Sequence, residues 1–349
     1  MDPKNRSPFN FINYYIILAA ICLVAAMLSL LQVEWYFIGI LGIFALVIAV
    51  VLTIISVTNK KRRVPFPKKK MKKALKLIKT TGDVTMVYKV IDKDILPALR
   101  KHLPKKIYKY YPLKNGDTDQ EGKDSELRIN SLKNQTIWAS LCSGFNDPYE
   151  GKYIFFSEKD LSAIGFPKDT KKIGDSILEA LRKCISIICF TLNPNDLPMW
   201  AHYANEHQGF CVEYEITDTS HFYPVCYTHE RVSAPSLFVE LFHALTTENA
   251  PLAEKELVMK HCLFLYSFKY EDWSSEHEVR AIFLNGTIDK NGKLYSYDEI
   301  GIIPTKLFIG VCCSEKHKKE LIDIANKLNI PYELCTVRDE EKFSVLSSK

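Results

Sequence analysis

Two apolar stretches near the start decide the architecture of this chain: FINYYIILAAICLVAAMLSLL (Phe11–Leu31) and WYFIGILGIFALVIAVVLTIISV (Trp35–Val57). Each reaches the roughly 20 apolar residues that a helix needs to cross a bilayer. A backbone in lipid must satisfy its own hydrogen bonds, which favours helices for both stretches. Only residues 32–34 separate the two stretches, so the helices would be joined by a tight turn. We therefore expect a transmembrane helical hairpin over residues 1–58, with its spans at 11–31 and 35–57.

Basic residues outside the two spans predict how this hairpin is oriented. Lys4 and Arg6 precede the first span and KKRR (residues 60–63) follows the second, whereas the loop between the spans has no Lys or Arg. Positively charged flanks favour the cytoplasmic side of a membrane. Both termini and the main domain are therefore expected in the cytoplasm, in a multi-pass membrane protein.

Charge divides the chain into two unlike parts. Residues 1–80 hold 13 Lys and Arg against two acidic residues, whereas the remainder is mildly acidic. We predict that the basic stretch Lys60–Lys79 binds anionic lipid headgroups, which attract each basic residue near the surface by about 1 kcal/mol. Nucleic-acid binding is the alternative for such a stretch, but its position next to a span favours lipid.

The remaining sequence predicts one mixed domain. Residues 59–105 form a basic juxtamembrane segment and a connector with weak helical character at 91–103, and residues 106–349 form a cytoplasmic α+β domain of a size typical of one large domain. Polar residues 114–127 are expected to form a loop, and 235–263 a helical insertion. Helices are predicted at 175–184, 198–205 and 315–328, and strands at 107–111, 136–140, 185–191, 209–214, 224–227, 264–270, 278–284, 307–311 and 332–336.

Common cofactor motifs are missing from the sequence. The ten cysteines include no CxxC pair, and no HExxH motif, GxxxxGK[ST] loop or GxGxxG loop occurs. These patterns carry the usual zinc and nucleotide-phosphate sites. We therefore expect no metal, and reduced cysteines in the core of a cytosolic domain.

The segment Glu276–Arg280 carries the most suggestive chemistry. In a strand, side chains alternate between faces, so Glu276, Glu278 and Arg280 would point the same way. Two close carboxylates raise one another's pKa unless a cation or substrate lies between them, and such pairs act at glycosidic bonds. These three are the candidate catalytic residues; the alternative is a surface strand on which Glu278 and Arg280 compensate each other.

Two other segments can contribute to a ligand site. Asn146-Asp147-Pro148 has the composition of a tight turn, and with Glu150 it can also line a pocket. Trp200 is expected in the core of a short helix, while His202 is the candidate pocket residue there. His202 and His207 lack the i, i+4 spacing of a helical metal pair.

Three segments together resemble one family. They are Trp138-Ala139-Ser140 with the following FNDPYE (145–150), MWAHYA (199–204) with His207 and Gly209-Phe210-Cys211, and Trp273 with EHEVR (276–280). With Tyr108-Lys109-Tyr110 ahead of them, these segments are similar to the bacterial domain-of-unknown-function family 2971. This resemblance covers about residues 106–340 and implies a bacterial protein. Together with the predicted spans, it gives the expectation of a bacterial inner-membrane location.

A more distant resemblance links the same segments to the ADP-ribosyltransferase superfamily, in which a catalytic glutamate opens a late strand. It implies NAD as co-substrate and ligand contacts from an early strand and a second strand, here Lys109 with Tyr110, and Ser140. The superfamily places His or Arg where this chain has Lys109 or Tyr110, although a lysine can still meet a pyrophosphate as a point charge.

Two functions from different classes follow. The first is a membrane-anchored, NAD-using ADP-ribosyltransferase-like enzyme, acting as a bacterial defence or toxin effector. The second is a non-catalytic ligand sensor whose hairpin self-associates and perturbs the membrane. Nuclease activity is a poorer third, because two carboxylates alone under-supply a two-metal site. The acceptor substrate, the trigger and the oligomeric state do not follow from the sequence.

Overall fold

A computed structural model describes residues 91–114, 119–246, 262–285 and 291–336. The two predicted spans and the basic stretch Lys60–Lys79 lie outside the described residues. Within the described ranges, no helix combines the length and the apolar character needed to cross a bilayer. The described part is a mixed α+β domain, as expected, and it is built on a curled sheet.

Four of the described helices begin at a residue whose side chain caps the helix. The side chains of Ser157, Asp196, Ser296 and Ser314 each accept a hydrogen bond from a backbone N–H in the first helical turn, which satisfies a donor that has no partner inside the helix. After a π-helical turn at Ile91–Ile95, the helices are α1 (Leu96–Arg100), α2 (Asp119–Lys133), α3 (Glu158–Ala163), α4 (Thr170–Cys184), α5 (Leu197–Tyr203), α6 (Pro235–Thr246), α7 (Tyr297–Ile300) and α8 (Glu315–Lys327).

Nine of the described strands form the main sheet, and two small two-stranded sheets, β3–β8 and β7–β9, lie beside it. The strands are β1 (Lys106–Tyr111), β2 (Thr136–Leu141), β3 (Ile154–Phe155), β4 (Ile185–Thr191), β5 (Phe210–Ile216), β6 (Phe222–Pro224), β7 (Cys226–Thr228), β8 (Val232–Ser233), β9 (Phe268–Tyr270), β10 (Glu278–Leu284), β11 (Gly292–Ser296), β12 (Ile302–Ile309) and β13 (Tyr332–Leu334). From β1 the sheet continues through β5 and β12 to β13, and only β12–β13 is parallel in it.

Both faces of the central strands are buried. Along β10, Val279, Ala281 and Phe283 enter one apolar core, whereas Ile282 enters the other. A strand that alternates in this way between two cores must be apolar on both faces. Glu278 and Arg280 lie on the same face as Ile282, so they are charged residues inside a buried strand.

A gap in the sheet arises at β4. On one edge, β10 pairs with β4 along its whole length, from Glu278↔Thr191 to Leu284↔Ile185. The other edge is shared, because β2 pairs at residues 186–187 and β1 pairs at Thr191. Residues 188–190 of β4 therefore face an opening between β1 and β2, and this opening positions the candidate site.

Three sequence-based expectations differ from the structure. Residues 119–127 belong to α2 rather than to a loop; this stretch is polar, and the helix contributes Ile129 and Leu132 to the core. The predicted strand 264–270 is a helical turn at 262–265 followed by β9. Finally, β10 begins at Glu278, because His277 adopts a left-handed conformation (φ 49°) that ends the preceding 3-10 helix.

Candidate functional site

The opening between β1 and β2 forms a cleft of about 190 Å³. Its floor is the exposed edge of β4, and its walls come from β1, β2, the turn after β2, α5, and the segment that leads into β10. The cleft is lined by Tyr108, Lys109, Tyr110, Trp138, Ser140, Phe145, Asn146, Ile187, Cys189, Phe190, Thr191, Met199, Tyr203, Lys269, Glu276 and Glu278. Polar groups and aromatic rings thus converge on one small space, which is typical of a ligand site.

Two carboxylates lie at the buried end of this cleft with a cation between them. Glu276 ends the 3-10 helix Glu271–Glu276 and Glu278 begins β10; both are less than 10% exposed. Nζ of Lys269, on β9, lies 2.5 Å from Oε2 of Glu276 and 3.5 Å from Oε1 of Glu278. Lys269 also lies 4.8 Å from the ring centroid of Trp273, a cation–π contact.

The pKa values of Glu278 and Lys269 are set by burial and by the charged side chains around them. Burial alone would raise the pKa of Glu278, but the charges of Arg280 and Lys269 outweigh burial and hold that pKa below its ordinary value. Burial would lower the pKa of Lys269, yet the charges of Glu278 and Glu276 raise it. The cation that close carboxylates require is therefore supplied by the chain itself.

Arg280 does not reach the cleft. It is fully buried, and its guanidinium binds Glu150 through two hydrogen bonds of 2.7 and 2.9 Å. It also donates to Oε2 of Glu278, at 2.7 and 3.0 Å, and to the carbonyl of Tyr266 at 2.7 Å. Arg280 thus connects the turn after β2 to the start of β10 through buried contacts that lie outside the cleft.

The other oxygen of Glu278 is less tightly held. Oε1 has Lys269 at 3.5 Å, longer than either contact to Oε2, and the thiol of Cys189 is a further donor to this carboxylate. The backbone N–H of Glu278 donates to the hydroxyl of Tyr227 at 2.8 Å. Glu278 is thus fixed in position while Oε1 can accept a bond from a ligand hydroxyl.

Glu276 is engaged at both oxygens. The hydroxyl of Tyr203, the last residue of α5, donates to Oε1 at 2.5 Å, and Lys269 donates to Oε2. The Glu276 backbone carbonyl accepts a 2.7 Å bond from Oγ1 of Thr191. Burial and the neighbouring Glu276 raise the pKa of Tyr203, so this hydroxyl keeps its proton and serves as a donor.

Lys109 occupies the gap in the sheet. Its Nζ donates to the carbonyl of Cys189 at 3.2 Å, a carbonyl on the edge of β4 that faces the gap. Burial lowers the pKa of Lys109. Beside it, the hydroxyl of Tyr110 donates to the carbonyl of Asn193 at 2.9 Å. The amine of Lys109 is therefore held by a neutral carbonyl and lies 5.6 Å from the ring centroid of Tyr111, with no ion pair described for it.

The turn after β2 has the geometry of a tight turn. Oδ1 of Asp147 accepts a 2.8 Å bond from the backbone N–H of Tyr149, and its backbone carbonyl accepts one of 3.0 Å from Glu150. Asp147 is buried in the turn, whereas Asn146 lines the cleft. The turn interpretation and the pocket interpretation thus apply to different residues of the same segment.

The structure brings together most, but not all, of the site residues expected from sequence. Lys109, Tyr110, Ser140, Asn146, Glu276 and Glu278 line the cleft, whereas Asp147, Glu150 and Arg280 lie behind it. His202 is exposed on α5 and does not line the cleft, because its neighbours Trp200 and Tyr203 take the inward positions. In the described ranges, no group of three or more His, Cys, Asp or Glu side chains is placed to hold a metal ion.

Sequence reasoning missed two central residues, Lys269 and Tyr203. Lys269 is the one charged residue of the predicted strand 264–270, and a charge in such a mostly apolar and aromatic strand is the signal that could have identified it. Tyr203 lies within the WAHYA segment, beside the histidine that was chosen instead. Helical spacing could not decide between them, since adjacent residues point about 100° apart and only packing shows which one faces inward.

Comparison with known proteins supports one part of the expected family assignment. A family model described as "Protein of unknown function (DUF2971)" matches residues 199–281. This stretch runs from α5 into β10 and contains Tyr203, Lys269, Glu276 and Glu278. No curated protein and no solved structure matches the chain.

Proposed function

We propose that this chain is a membrane-anchored ADP-ribosyltransferase-like enzyme that uses NAD in the bacterial cytoplasm. The observation that carries the proposal is the pair Glu276 and Glu278 at the closed end of a cleft lined by aromatic rings and Lys109. Paired carboxylates of this kind act at glycosidic bonds, where they stabilise an oxocarbenium-like transition state.

Glu278 has the geometry for the central role. Arg280 and the backbone contacts hold the carboxylate in place, and Oε1 is positioned to accept a bond from a ribose hydroxyl. In the reaction, the bond between C1′ of the ribose and the nicotinamide nitrogen breaks, and its electron pair leaves with nicotinamide. The acceptor then forms a bond to C1′ and loses a proton.

The size of the cleft limits how much of the dinucleotide it can enclose. A volume of about 190 Å³ is below the roughly 300–1,000 Å³ of sites that bury a drug-sized ligand. We infer that the cleft takes the nicotinamide ribose and that the pyrophosphate lies near Lys109. In the described residues Lys109 donates to a carbonyl and has no ion pair, so binding the pyrophosphate would favour its protonated form without breaking an ion pair.

The membrane part of the proposal rests on the sequence. The two apolar stretches at 11–31 and 35–57 would anchor the enzyme, with the stretch Lys60–Lys79 on anionic lipid. A tethered transferase of this kind would modify targets near the inner membrane, as a defence or toxin effector does.

Replacing Glu278 with Gln tests the enzymatic function. The amide keeps the shape but removes the charge that stabilises the developing cation, an effect of about 3–4 kcal/mol at comparable sites. The full chain is incubated with NAD and cell extract while nicotinamide release and transfer of labelled ADP-ribose are measured. We expect Glu278→Gln to lose more than 99% of turnover while Glu215→Gln, on the surface of β5, retains it. Equal turnover in wild type and Glu278→Gln would refute the role of Glu278.

One observation favours the second candidate, a ligand sensor. Lys269 and Arg280 already compensate Glu276 and Glu278, and a site with its charges compensated can bind a ligand without reacting. The hairpin would then give the output by self-association. NAD that binds without nicotinamide release, together with ligand-dependent oligomers of the full chain, would favour this function over catalysis.

A further inference from the structure

The hydroxyl of Tyr203 is bonded to Glu276, the carboxylate that would otherwise receive an acceptor's proton, and both residues line the cleft. Both oxygens of Glu276 already accept hydrogen bonds, from Tyr203 at 2.5 Å and from Lys269 at 2.5 Å. Glu276 is also almost fully buried, whereas Tyr203 is half-buried and lines the cleft. Because both oxygens of Glu276 already accept hydrogen bonds, the more exposed Tyr203 hydroxyl is the group of this pair that can accept a proton from an acceptor in the cleft.

We infer that Tyr203 is the group that removes the proton from the acceptor and passes its own proton to Glu276. This inference rests on the proposed ADP-ribosyl transfer and deepens it. Since the Tyr203 hydroxyl donates to Oε1 of Glu276, its lone pairs are free to accept a bond from the cleft side. Lys269 is a positioning residue, because its bond to Oε2 orients the Glu276 carboxylate that receives the proton.

The transfer of protons balances. As the bond between C1′ and the acceptor oxygen forms, the acceptor proton moves to the oxygen of Tyr203, and the original Tyr203 proton moves to Oε1 of Glu276. Glu276 ends as a neutral acid beside the ammonium of Lys269 and later loses the proton to water. Nicotinamide leaves with the electron pair of the broken bond, so no oxidant or further reactant is needed.

This proton relay, from the acceptor through Tyr203 to Glu276, also specifies the class of acceptor. It is useful only to a nucleophile that must lose a proton, such as an alcohol or water. An anionic nucleophile gains nothing from it. The acceptor of this site is therefore a hydroxyl compound rather than a carboxylate.

Azide tests this inference because it attacks C1′ without a proton to lose. The full chain is supplied with NAD, and two products are measured: ADP-ribose formed with water, and ADP-ribosyl azide formed when azide is added. The variants are Tyr203→Phe and Glu276→Gln, with Tyr297→Phe as control because it also deletes a buried, hydrogen-bonded hydroxyl, far from the cleft. NAD affinity and the thermal midpoint are measured for each variant.

We expect Tyr203→Phe and Glu276→Gln to slow the reaction with water by at least tenfold, as loss of a general base does, and Tyr203→Phe to leave azide transfer within twofold of wild type. Tyr297→Phe should match wild type with both nucleophiles. If Tyr203→Phe slows the reactions with water and with azide equally, Tyr203 has a structural role. If the substitution slows neither reaction, Tyr203 has no role in proton transfer. Either result overturns the proposed proton relay. A wild-type chain that binds NAD but releases no nicotinamide with either nucleophile would instead refute the proposed function, and the relay with it.

Discussion

At the scale of single residues, the cleft is defined by buried charges that compensate one another. Glu150, Glu276 and Glu278 carry three negative charges, which Lys269 and Arg280 partly balance. Ions buried without partners would cost several kcal/mol each, so these five side chains form one group of mutually compensating charges. Lys269 is the member through which Glu276 and Glu278 can remain ionised side by side.

The lowered pKa of Glu278 predicts how stability depends on pH. Its folded pKa is below the unfolded value of about 4.3, so its contribution is complete above the unfolded pKa and is lost as the pH falls through the folded pKa. We expect the urea midpoint of wild type to fall steeply below about pH 4, and that of Glu278→Gln to fall less. Parallel pH profiles for the two proteins would contradict this assignment.

At the scale of elements, Glu150 and Arg280 connect the turn after β2 to β10. We expect Glu150→Ala to lower the free energy of unfolding by about 3–5 kcal/mol, because it leaves a fully buried guanidinium without its bidentate partner. Urea denaturation measures this change. Lys172→Ala breaks an ion pair exposed on α4 and should change stability by less than about 1 kcal/mol. Equal effects of the two variants would show that the buried pair does not hold the turn.

The join between α5 and β5 depends on a glycine. A Cβ at Gly209 would lie 1.9 Å from the backbone carbonyl oxygen of Tyr111, so β1 and β5 would have to shift, whereas a Cβ at Gly144 would meet nothing within 4 Å. We expect Gly209→Ala to destabilise the domain by at least the roughly 1–3 kcal/mol of overpacking, and Gly144→Ala to be nearly neutral. Similar thermal midpoints for both variants would contradict this account.

At the scale of the whole molecule, the charge pattern predicts the membrane topology. By the positive-inside rule, KKRR at 60–63 and the basic residues before the first apolar stretch predict that both ends are cytoplasmic. A compartment-sensitive reporter fused after Lys349 should therefore give a cytoplasmic signal in intact bacterial cells. A periplasmic signal would refute this topology and, with it, a reaction that draws on cytoplasmic NAD.

The sequence by itself determined the α+β class of the domain, the strand at Glu278–Leu284 and the core position of Trp200, because apolar periodicity and composition are local properties. It also marked Glu276 and Glu278 as chemically unusual, and the family-model match covers both. The hairpin prediction rests on the same kind of local signal, outside the described residues.

Only the tertiary structure decided which side chains meet. Lys269 reaches Glu276 and Glu278 because β9 and the 3-10 helix fold back beside β10, and Tyr203 rather than His202 faces the cleft because α5 packs Trp200 inward. Glu150 is brought to Arg280 across 130 residues of sequence. The cleft itself exists because β1 and β2 share one edge of β4. Strand pairing and packing between distant segments set these contacts, and no local pattern in the sequence records them.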